Sequence, residues 1–311
     1  MISNIIFTKN RPLQLEAYLE SLYKHFPAEL IQTYIIYKEE LFSEQYNQLF
    51  NKFNKCIVIN ESDFYTDFMG VLNKVDTKYI LFGIDDVVIY DSVDMDLINK
   101  TFDEHGDNIF GFTLRFSPES LKDSGDVIED VSVGSEKIYR INWKEGKTAH
   151  TRYPFELCCT FYKTELVKKI IYSTMTLNPL MKILFGTKSL LVKLLSGTGL
   201  HRKILKRFGF IYSPNKLESW PCRWAQKNKS EVPDYIYFQK LCASAIQVNM
   251  VNTTTNNDHD GTQEHTVEAL NDKYKQNYRL DIEYIMKNKP SEPGCGREYF
   301  KLKKEQDVCK K

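Results

Sequence analysis

The chain lacks the cysteine spacing that holds zinc or builds a disulfide framework. Its 7 cysteines are scattered through 311 residues, odd in number and without a C-x-x-C pair. Such a set argues against a zinc site and against a framework of disulfides. It is typical of a protein in a reducing compartment.

Long apolar runs and a leader-like start are missing as well. No uncharged run reaches the roughly 20 residues that a membrane span requires. Residues Met1–Phe7 enter a strand-like run directly, without a basic region or a small-residue cleavage site, so we expect no signal peptide. The predicted location is cytoplasmic, with any membrane association peripheral and on the inner face of the cell membrane.

The chain also has little net charge. A formal value of +1 provides no general attraction to nucleic acid, and we expect no nucleic-acid partner. Hydrophobic residues make up 42% and aromatic residues 13%, which supports a sizeable folded core. The length is sufficient for one large α/β domain or two small ones.

One interval contains no acidic residue. It extends from Glu165 to Glu218, and within it leucines recur at helical spacing over 180–195, followed by a basic run at 201–208. This basic amphipathic pattern, an insert at about 174–212, is typical of helices that lie on an anionic membrane surface. A helical hairpin packed on the domain, with solvated lysines, is the alternative.

Strands and helices alternate in the first part of the chain. Apolar runs of strand length are separated by stretches of helical periodicity, which predicts right-handed βαβ units and a parallel sheet. The expected strands are 2–7, 34–37 and 56–59, and the expected helices are 13–22, 41–53 and 64–75.

The most informative stretch is Tyr79–Tyr90. A strand-like apolar run meets two adjacent carboxylates, Asp85 and Asp86, and then becomes apolar again. Two ionised carboxylates at the mouth of a buried strand repel each other and are costly to desolvate, and a divalent cation relieves both costs. Ligands of open α/β sheets bind beyond the carboxyl ends of strands, so we expect a cation site there. A solvated turn or a helix cap is the alternative.

The pattern is less regular after Asp86. Residues 109–116 and 138–143 indicate strands, and the acidic residues 123–136 between them predict an exposed, mobile loop. Residues 287–311 predict a poorly ordered, lysine-rich tail. Further elements are expected at 153–162 and 241–251, and after Glu165 and Pro214.

Six short segments together resemble the GT-A glycosyltransferases of the family-2 type. Ile5–Pro12 resembles the opening strand and turn of that fold, and Phe82–Asp86 lies where the fold carries its Asp-x-Asp motif. Four more segments resemble, in order, bacterial members of a surface-glycan branch: Phe112–Arg115, Tyr153–Phe155, Pro214–Glu218 and Asn249–Asn252. The resemblance implies one GT-A-like, Rossmann-like α/β domain over residues 1–286, with a mostly parallel central sheet flanked by helices.

The same resemblance implies a reaction. A sugar would pass from a nucleotide-diphosphate sugar to a glycan or lipid-linked acceptor, with Mn²⁺ or Mg²⁺ and inversion at the anomeric carbon. A retaining transferase, a nucleotidyltransferase and an inactive glycan-binding or scaffold domain are the alternatives. The turn Thr8–Pro12 is not glycine-rich, which disfavours the nucleotidyltransferase.

The resemblance assigns metal ligands. Asp86 is the expected direct ligand, and Asp85 is expected to assist it or to hold the ribose. Position 84 carries Ile where the family motif more often has an acidic residue. His259 is a further metal-ligand candidate, with an exposed loop histidine as its alternative.

It also assigns nucleotide contacts. Thr8 and Asn10 are expected beside the base, and Arg11 near the base or a phosphate, since a guanidinium can bind two phosphate oxygens at once. The alternative for Arg11 is a surface salt bridge.

Glu218 is the expected catalytic base, taking a proton from the acceptor hydroxyl. Its place at a predicted helix start would lower its pKa, although a first-turn glutamate can also serve only the helix. Glu156 and Asp130 are substitutes. Trp220 and Trp143 are candidates for stacking on a sugar, with a place in the core as the alternative.

Relatives tend to carry an Asp-Gly pair where this chain has Cys158–Cys159. The missing aspartate would face the acceptor, so its absence implies a different acceptor or another residue in that role. A catalytic role for Cys158 is not expected, because no matching histidine is evident.

Overall fold

The computed structural model describes residues 1–174, 211–232, 234–249, 251, 262–295 and 297–305. Most of the expected basic insert, residues 175–210, and the candidate ligand His259 lie outside the described residues. Within the described ranges, no helix is long and apolar enough to cross a membrane.

The first part of the chain forms the expected alternation. Its elements are β1 (Ile2–Lys9), α1 (Pro12–His25), β2 (Ile31–Lys38), α2 (Ser43–Lys52), β3 (Ile57–Asn60), α3 (Phe64–Lys74) and β4 (Tyr79–Ile84). Pro12 begins α1, where its missing amide hydrogen costs nothing. The Asp63 carboxylate caps α3 by accepting from the Thr66 amide at 2.9 Å. These four strands are mutually parallel in the order β3-β2-β1-β4.

The second part is more mixed. Its strands are β5 (Val87–Ile89), β6 (Ile109–Thr113), β7 (Ile128–Val133), β8 (Glu136–Ile141), β9 (Thr160–Lys163), β10 (Asp234–Tyr237), β11 (Ala243–Ile246), β12 (Tyr278–Leu280), β13 (Gly294–Cys295) and β14 (Leu302–Lys304). Its helices are α4 (Met95–His105), α5 (Pro118–Leu121), α6 (Thr164–Thr174), α7 (Pro214–Lys227), α8 (Val267–Lys275) and α9 (Ile282–Asn288), and short 3-10 helices lie at Gly106–Asn108, Trp143–Glu145 and Gln263–His265.

A large central sheet unites both parts. Its order, among the described residues, is β3-β2-β1-β4-β9-β6-β10-β8-β7. β9 runs antiparallel to both neighbours, β10 runs parallel to β6, and the β7–β8 hairpin closes the far edge. The α/β class and the large helix-flanked sheet are therefore confirmed.

Helices cover both faces of this sheet. Apolar side chains of α1, α2 and α4 pack on one face, and those of α3, α6 and α7 pack on the other. Each fully buried Leu, Ile, Val or Phe contributes about 1.5–3 kcal/mol relative to exposure. α8 and α9 join a third cluster with residues of α1 and of the small sheet β13-β11-β5.

Two expectations about loops were wrong. The stretch 123–136 contains β7, which pairs with β8 through a turn at Gly134, where φ is +59°. The tail 287–311 is not simply disordered, because β13 pairs with β11, β14 pairs with β12, and Phe300 is buried. In the first stretch a local hairpin forms in spite of the acidic, turn-rich composition, and in the second, pairing with β11 and β12 overrides the lysine-rich composition.

Candidate functional site

A cleft of about 330 Å³ opens at the carboxyl ends of β1, β2 and β4. Residues 212–215 at the start of α7 and Val251 form part of its rim. Its position matches the general location of ligands in open α/β sheets. Its volume is at the lower end of the range for small-molecule sites.

Asp85 and Asp86 line this cleft and are joined by one arginine. Arg11 Nη1 donates to Asp85 Oδ1 at 2.8 Å and approaches Asp86 Oδ2 at 3.4 Å. The Thr8 hydroxyl donates to the second Asp85 oxygen at 2.7 Å. Asp85 is therefore held on both of its oxygens, whereas Asp86 is held on one.

Both Nη atoms of Arg11 are used by protein contacts, whereas its Nε is buried without a hydrogen bond. Its Nη2 donates to the Asn249 carbonyl at 2.5 Å, and its backbone amide donates to the Tyr46 hydroxyl at 3.0 Å. The side chain is only 6% exposed, so the surface salt bridge considered for Arg11 does not describe it. This arginine connects the first turn of the chain to the late segment at Asn249.

The other oxygen of Asp86 has no partner. Asp86 Oδ1 is buried without a hydrogen bond. Burial raises the pKa of Asp86 to about 6, and the negative charge of Asp85 adds to this, while the charges of Arg11 and Arg115 oppose it. A partnerless carboxylate oxygen on a residue that lines a cleft is the kind of ligand that a hard divalent cation prefers.

Few side chains among the described residues are placed to bind such a cation. No group of three or more His, Cys, Asp or Glu side chains suited to a metal occurs in the part of the chain that the structure describes. Mg²⁺ is commonly held by one or two carboxylates together with substrate phosphates and waters. Asp86, with Asp85 beside it, fits that arrangement.

The remaining first-turn residues have different surroundings. Thr8 lines the cleft, and its hydroxyl also contacts Tyr46 at 3.3 Å. Asn10 has φ of +54°, and its side-chain oxygen accepts from the backbone amides of Glu40 and Leu41 at 3.0 and 3.2 Å. Asn10 thus ties the segment after β2 to the turn, and its contact with a base stays a prediction.

Three charged cleft residues, Lys9, Lys38 and Glu61, were given no role from the sequence. Lys38 ends β2, and Glu61 follows β3, with 3.6 Å between Nζ and Oε1. Both line the cleft on the side away from Asp86. The sequence contained a signal for these two residues, because Lys38 directly follows the predicted strand 34–37 and Glu61 lies two residues after the predicted strand 56–59. The carboxyl ends of parallel strands meet at one edge of the sheet.

Glu218 lies in the second turn of α7, where Leu217 is fully buried in the core. Its Oε1 accepts from the Leu157 backbone amide at 3.1 Å. Burial raises the pKa of Glu218 to about 7, Glu156 raises it further, and the amide bond, Arg115 and the Tyr153 hydroxyl oppose the shift. The expected lowering by the helix start was wrong, because Glu218 lies beyond the first turn and desolvation dominates.

The two substitutes for Glu218 are less available. Glu156 pairs with Arg115 at 2.6 Å and accepts from the hydroxyls of Thr113 and Thr160. Asp130 is in the edge strand β7, paired with Lys137 at 2.6 Å. That strand is five places from β4 in the sheet, or about 24 Å at the usual strand spacing.

The charge of Arg115 acts on carboxylates of both groups, the Asp85–Asp86 pair and the Glu156–Glu218 pair. Arg115 Nε and Nη2 donate to the Pro293 carbonyl at 3.2 and 3.1 Å, which fixes the segment before β13. Its charge favours the ionised forms of both Asp86 and Glu218. The charge of Arg115 also acts on Cys158. Burial nevertheless raises the pKa of the Cys158 thiol, so this residue does not supply a thiolate.

The tryptophans differ in position. Trp143 is 2% exposed and packs in the core, so the alternative of a place in the core describes it. Trp220 is partly buried, and the Arg223 guanidinium lies 5.1 Å from the centre of its ring.

Comparison with known proteins returned only distant structural likenesses. No family model matches the chain, and no curated protein matches it. Solved structures that resemble it include residues 1–349 of S. aureus TarS in complex with UDP, at 19% identity and TM-score 0.37, covering 54% of this chain and 48% of that one. The chain thus spans about half the length of that structure.

Two further structures also match at low identity and low TM-score. The mannosyltransferase PcManGT from Pyrobaculum calidifontis, in complex with GDP-Man and Mn²⁺, matches at 8% identity and TM-score 0.35 over 74% of this chain and 73% of that one. The bifunctional IspDF from Campylobacter jejuni matches at 12% identity and TM-score 0.27 over 55% and 43%. At these identities and TM-scores the likenesses carry no functional argument, which rests on the site itself.

Proposed function

We propose that the protein transfers a sugar from a nucleotide-diphosphate sugar to a glycan or lipid-linked acceptor, with Mn²⁺ or Mg²⁺ and inversion at the anomeric carbon. The observation that supports this best is Asp86 Oδ1, a buried carboxylate oxygen without a partner in a cleft lined by Asp85 and Arg11.

Each residue has a distinct task in this proposal. Asp86 would hold the cation, and Asp85 is kept in place beside it by Arg11 and Thr8. A cation held there would supply positive charge against the diphosphate that leaves the sugar. Because Arg11 is occupied by the two carboxylates and Asn249, it organises the metal ligands and is not the main phosphate contact.

Glu218 is the proposed base. The acceptor oxygen attacks the anomeric carbon, the bond from that carbon to the diphosphate oxygen breaks, and the acceptor proton passes to Glu218. A carboxylate with a pKa near 7 suits proton transfer at neutral pH better than one near 4. Glu156 is already saturated by Arg115 and two hydroxyls, which favours Glu218 for this step.

One observation favours a second candidate, a binding domain without catalysis. Arg11 already supplies a positive charge to both Asp85 and Asp86, which reduces the need for a metal ion. In that case Asp86→Asn would leave donor binding unchanged. The nucleotidyltransferase alternative stays weaker, because the turn Thr8–Pro12 is not glycine-rich.

The decisive experiment is donor hydrolysis by the full chain with a panel of UDP-, GDP- and CMP-sugars, with and without Mn²⁺. We expect metal-dependent release of nucleotide with at least one donor, and a loss of about 10²-fold or more in Asp86→Asn. Asp130→Asn is the matched control, since it makes the same chemical change at an exposed, distant position and should behave like the unmodified protein. A folded sample without response to any donor would overturn the proposal.

A lipid-linked acceptor is proposed on the basis of sequence charge. The interval from Glu165 to Glu218 without acidic residues would attract an anionic membrane surface by about 1 kcal/mol for each basic residue near it. Sedimentation with anionic vesicles, and its absence with neutral vesicles, tests this part alone.

A further inference from the structure

The side of the cleft away from Asp86 carries Lys38 and Glu61, whose contact with each other is incomplete. Lys38 Nζ and Glu61 Oε1 are 3.6 Å apart, longer than a normal N–H···O hydrogen bond. Glu61 is partly buried, at 16% side-chain exposure, and its backbone amide donates to the Tyr37 carbonyl at 2.8 Å. The backbone is therefore fixed, while the carboxylate retains capacity for further donors.

The neighbouring pair is different. Lys9 and Glu40 are 2.9 Å apart, and Glu40 is half exposed. Lys9 lines the cleft together with Lys38 and Glu61, but its ammonium group is already paired with Glu40, which does not line the cleft. Glu61 is thus the carboxylate positioned to meet a ligand in this part of the cleft.

The spacing across the sheet is suitable for a nucleotide. Glu61 follows β3, and Asp85 and Asp86 follow β4, which are the first and fourth strands in the order β3-β2-β1-β4. Three strand spacings correspond to about 14 Å. This is comparable with the distance from base to terminal phosphate in an extended nucleoside diphosphate, so a diphosphate at Asp86 places the base near Lys38 and Glu61.

The chemistry of this pair discriminates among bases. Guanine presents a carbonyl acceptor, O6, next to two donors, N1–H and the N2 amine, and this complements one ammonium and one carboxylate. Uracil has acceptors on both sides of its single N–H, so one of them would face the carboxylate. Adenine and cytosine present an unprotonated ring nitrogen next to their amine, and that nitrogen would be repelled by Glu61.

Resting on the proposed function, we infer that the cleft selects guanine and that the donor is a guanosine-diphosphate sugar. Lys38 donates to O6, and Glu61 accepts from N1–H and the N2 amine. Phe7 and Ile36, which also line the cleft, provide apolar surface near the base.

The test measures binding of GDP, IDP, UDP, ADP and CDP to the full chain with Mn²⁺ by calorimetry. IDP differs from GDP only by lacking the N2 amine, so the comparison isolates one contact to Glu61. A hydrogen bond to a charged group predicts roughly tenfold or greater preference for GDP over IDP, and a larger one over UDP. Glu61→Gln should abolish most of the GDP-over-IDP preference, and Glu40→Gln should preserve it.

Each result has a clear meaning. The GDP-over-IDP comparison uses the unmodified protein, so it stands even where Glu61→Gln folds poorly. Tighter binding of UDP, ADP or CDP than of GDP overturns the guanine inference and leaves nucleotide-dependent transfer intact. Equal binding of GDP and IDP also overturns it, and failure of every nucleotide to bind overturns both this inference and the proposed function.

Discussion

Two buried clusters in this protein have the same composition and different chemistry. Each contains two carboxylates and one arginine: Asp85 and Asp86 with Arg11, and Glu156 and Glu218 with Arg115. In the first cluster the arginine contacts both carboxylates. In the second it pairs with Glu156 alone, and Glu218 receives a single backbone amide.

The position of each arginine explains the difference. Arg11 directly precedes α1 and reaches between the two adjacent aspartates, leaving Asp86 Oδ1 without a partner. Arg115 is also held by the Pro293 carbonyl, which directs it away from an equal share between the glutamates. The first cluster is thereby suited to a cation and the second to a proton, although a tally of charges would not separate them.

The largest expected effect is a difference in donor turnover between variants of Glu218 and of Glu156. Glu218→Gln removes the proposed base and should lower donor turnover by about 10²–10⁴-fold, with no loss of folding stability. The rate of the unmodified protein should rise with pH to a plateau above about 7, as Glu218 loses its proton, and the variant should lack this limb. Turnover across pH 5.5–8.5 is the measurement.

Glu156→Gln is the matched change for that comparison. It leaves Arg115 without its ion pair, so we expect a clear loss of stability and a smaller loss of rate than in Glu218→Gln. If Glu156→Gln abolishes turnover at unchanged stability while Glu218→Gln remains active, the assigned roles are reversed.

The next effect concerns Arg115 itself. Arg115→Met leaves Glu156 as an uncompensated buried charge and removes two donors from Pro293, so the free energy of unfolding should fall by about 3–5 kcal/mol. Loss of its charge should also move the Glu218 limb to higher pH. Urea unfolding and the pH profile measure the two effects.

An exposed pair provides the control for Arg115→Met. Arg140 pairs with Glu129 on the β7–β8 hairpin, where both side chains are more than one-third exposed. Arg140→Met should cost less than about 1 kcal/mol and leave the pH profile unchanged. Equal losses in the two variants would contradict the buried role of Arg115.

The parallel half of the sheet was accessible from the sequence because its signals are local. Each strand from β1 to β4 is an apolar run bounded by a helix with regular periodicity, and Asp85 and Asp86 interrupt such a run at its end. That pattern is sufficient to predict the βαβ architecture and to place two carboxylates at its carboxyl edge, where the cation site is proposed.

The second half depends on partners far along the chain. β13 is stabilised by pairing with β11, which the local composition does not reveal, and β10, which pairs with β6, was not anticipated at all. The pKa of Glu218 also depends on packing, since position near a helix start suggests a lowered value and burial produces a raised one. The local sequence predicts where Glu218 lies in its helix, but it does not reveal how completely folding removes the side chain from water.

The smallest expected effect concerns proton binding by Asp86 in the first cluster. The pKa of Asp86 is raised from 3.8 to about 6 in the folded protein, so the folded state binds this proton more tightly than the unfolded state. The resulting stability is fully present below about pH 4 and is lost as pH rises through about 6. Asp86→Asn abolishes this dependence, so its stability relative to the unmodified protein should increase by on the order of 2 kcal/mol between pH 4 and pH 7. The lost contact with Arg11 changes the stability of Asp86→Asn equally at every pH, so it does not produce that pH dependence. Urea unfolding across this pH range measures the difference in stability.

Added Mn²⁺ provides a second measurement. At pH 7.5 it should stabilise only the protein that retains Asp86, because a ligand that binds the folded state alone shifts the folding equilibrium. A difference that is constant with pH, together with equal stabilisation by Mn²⁺, would show that the partnerless oxygen of Asp86 binds neither the proton nor the cation.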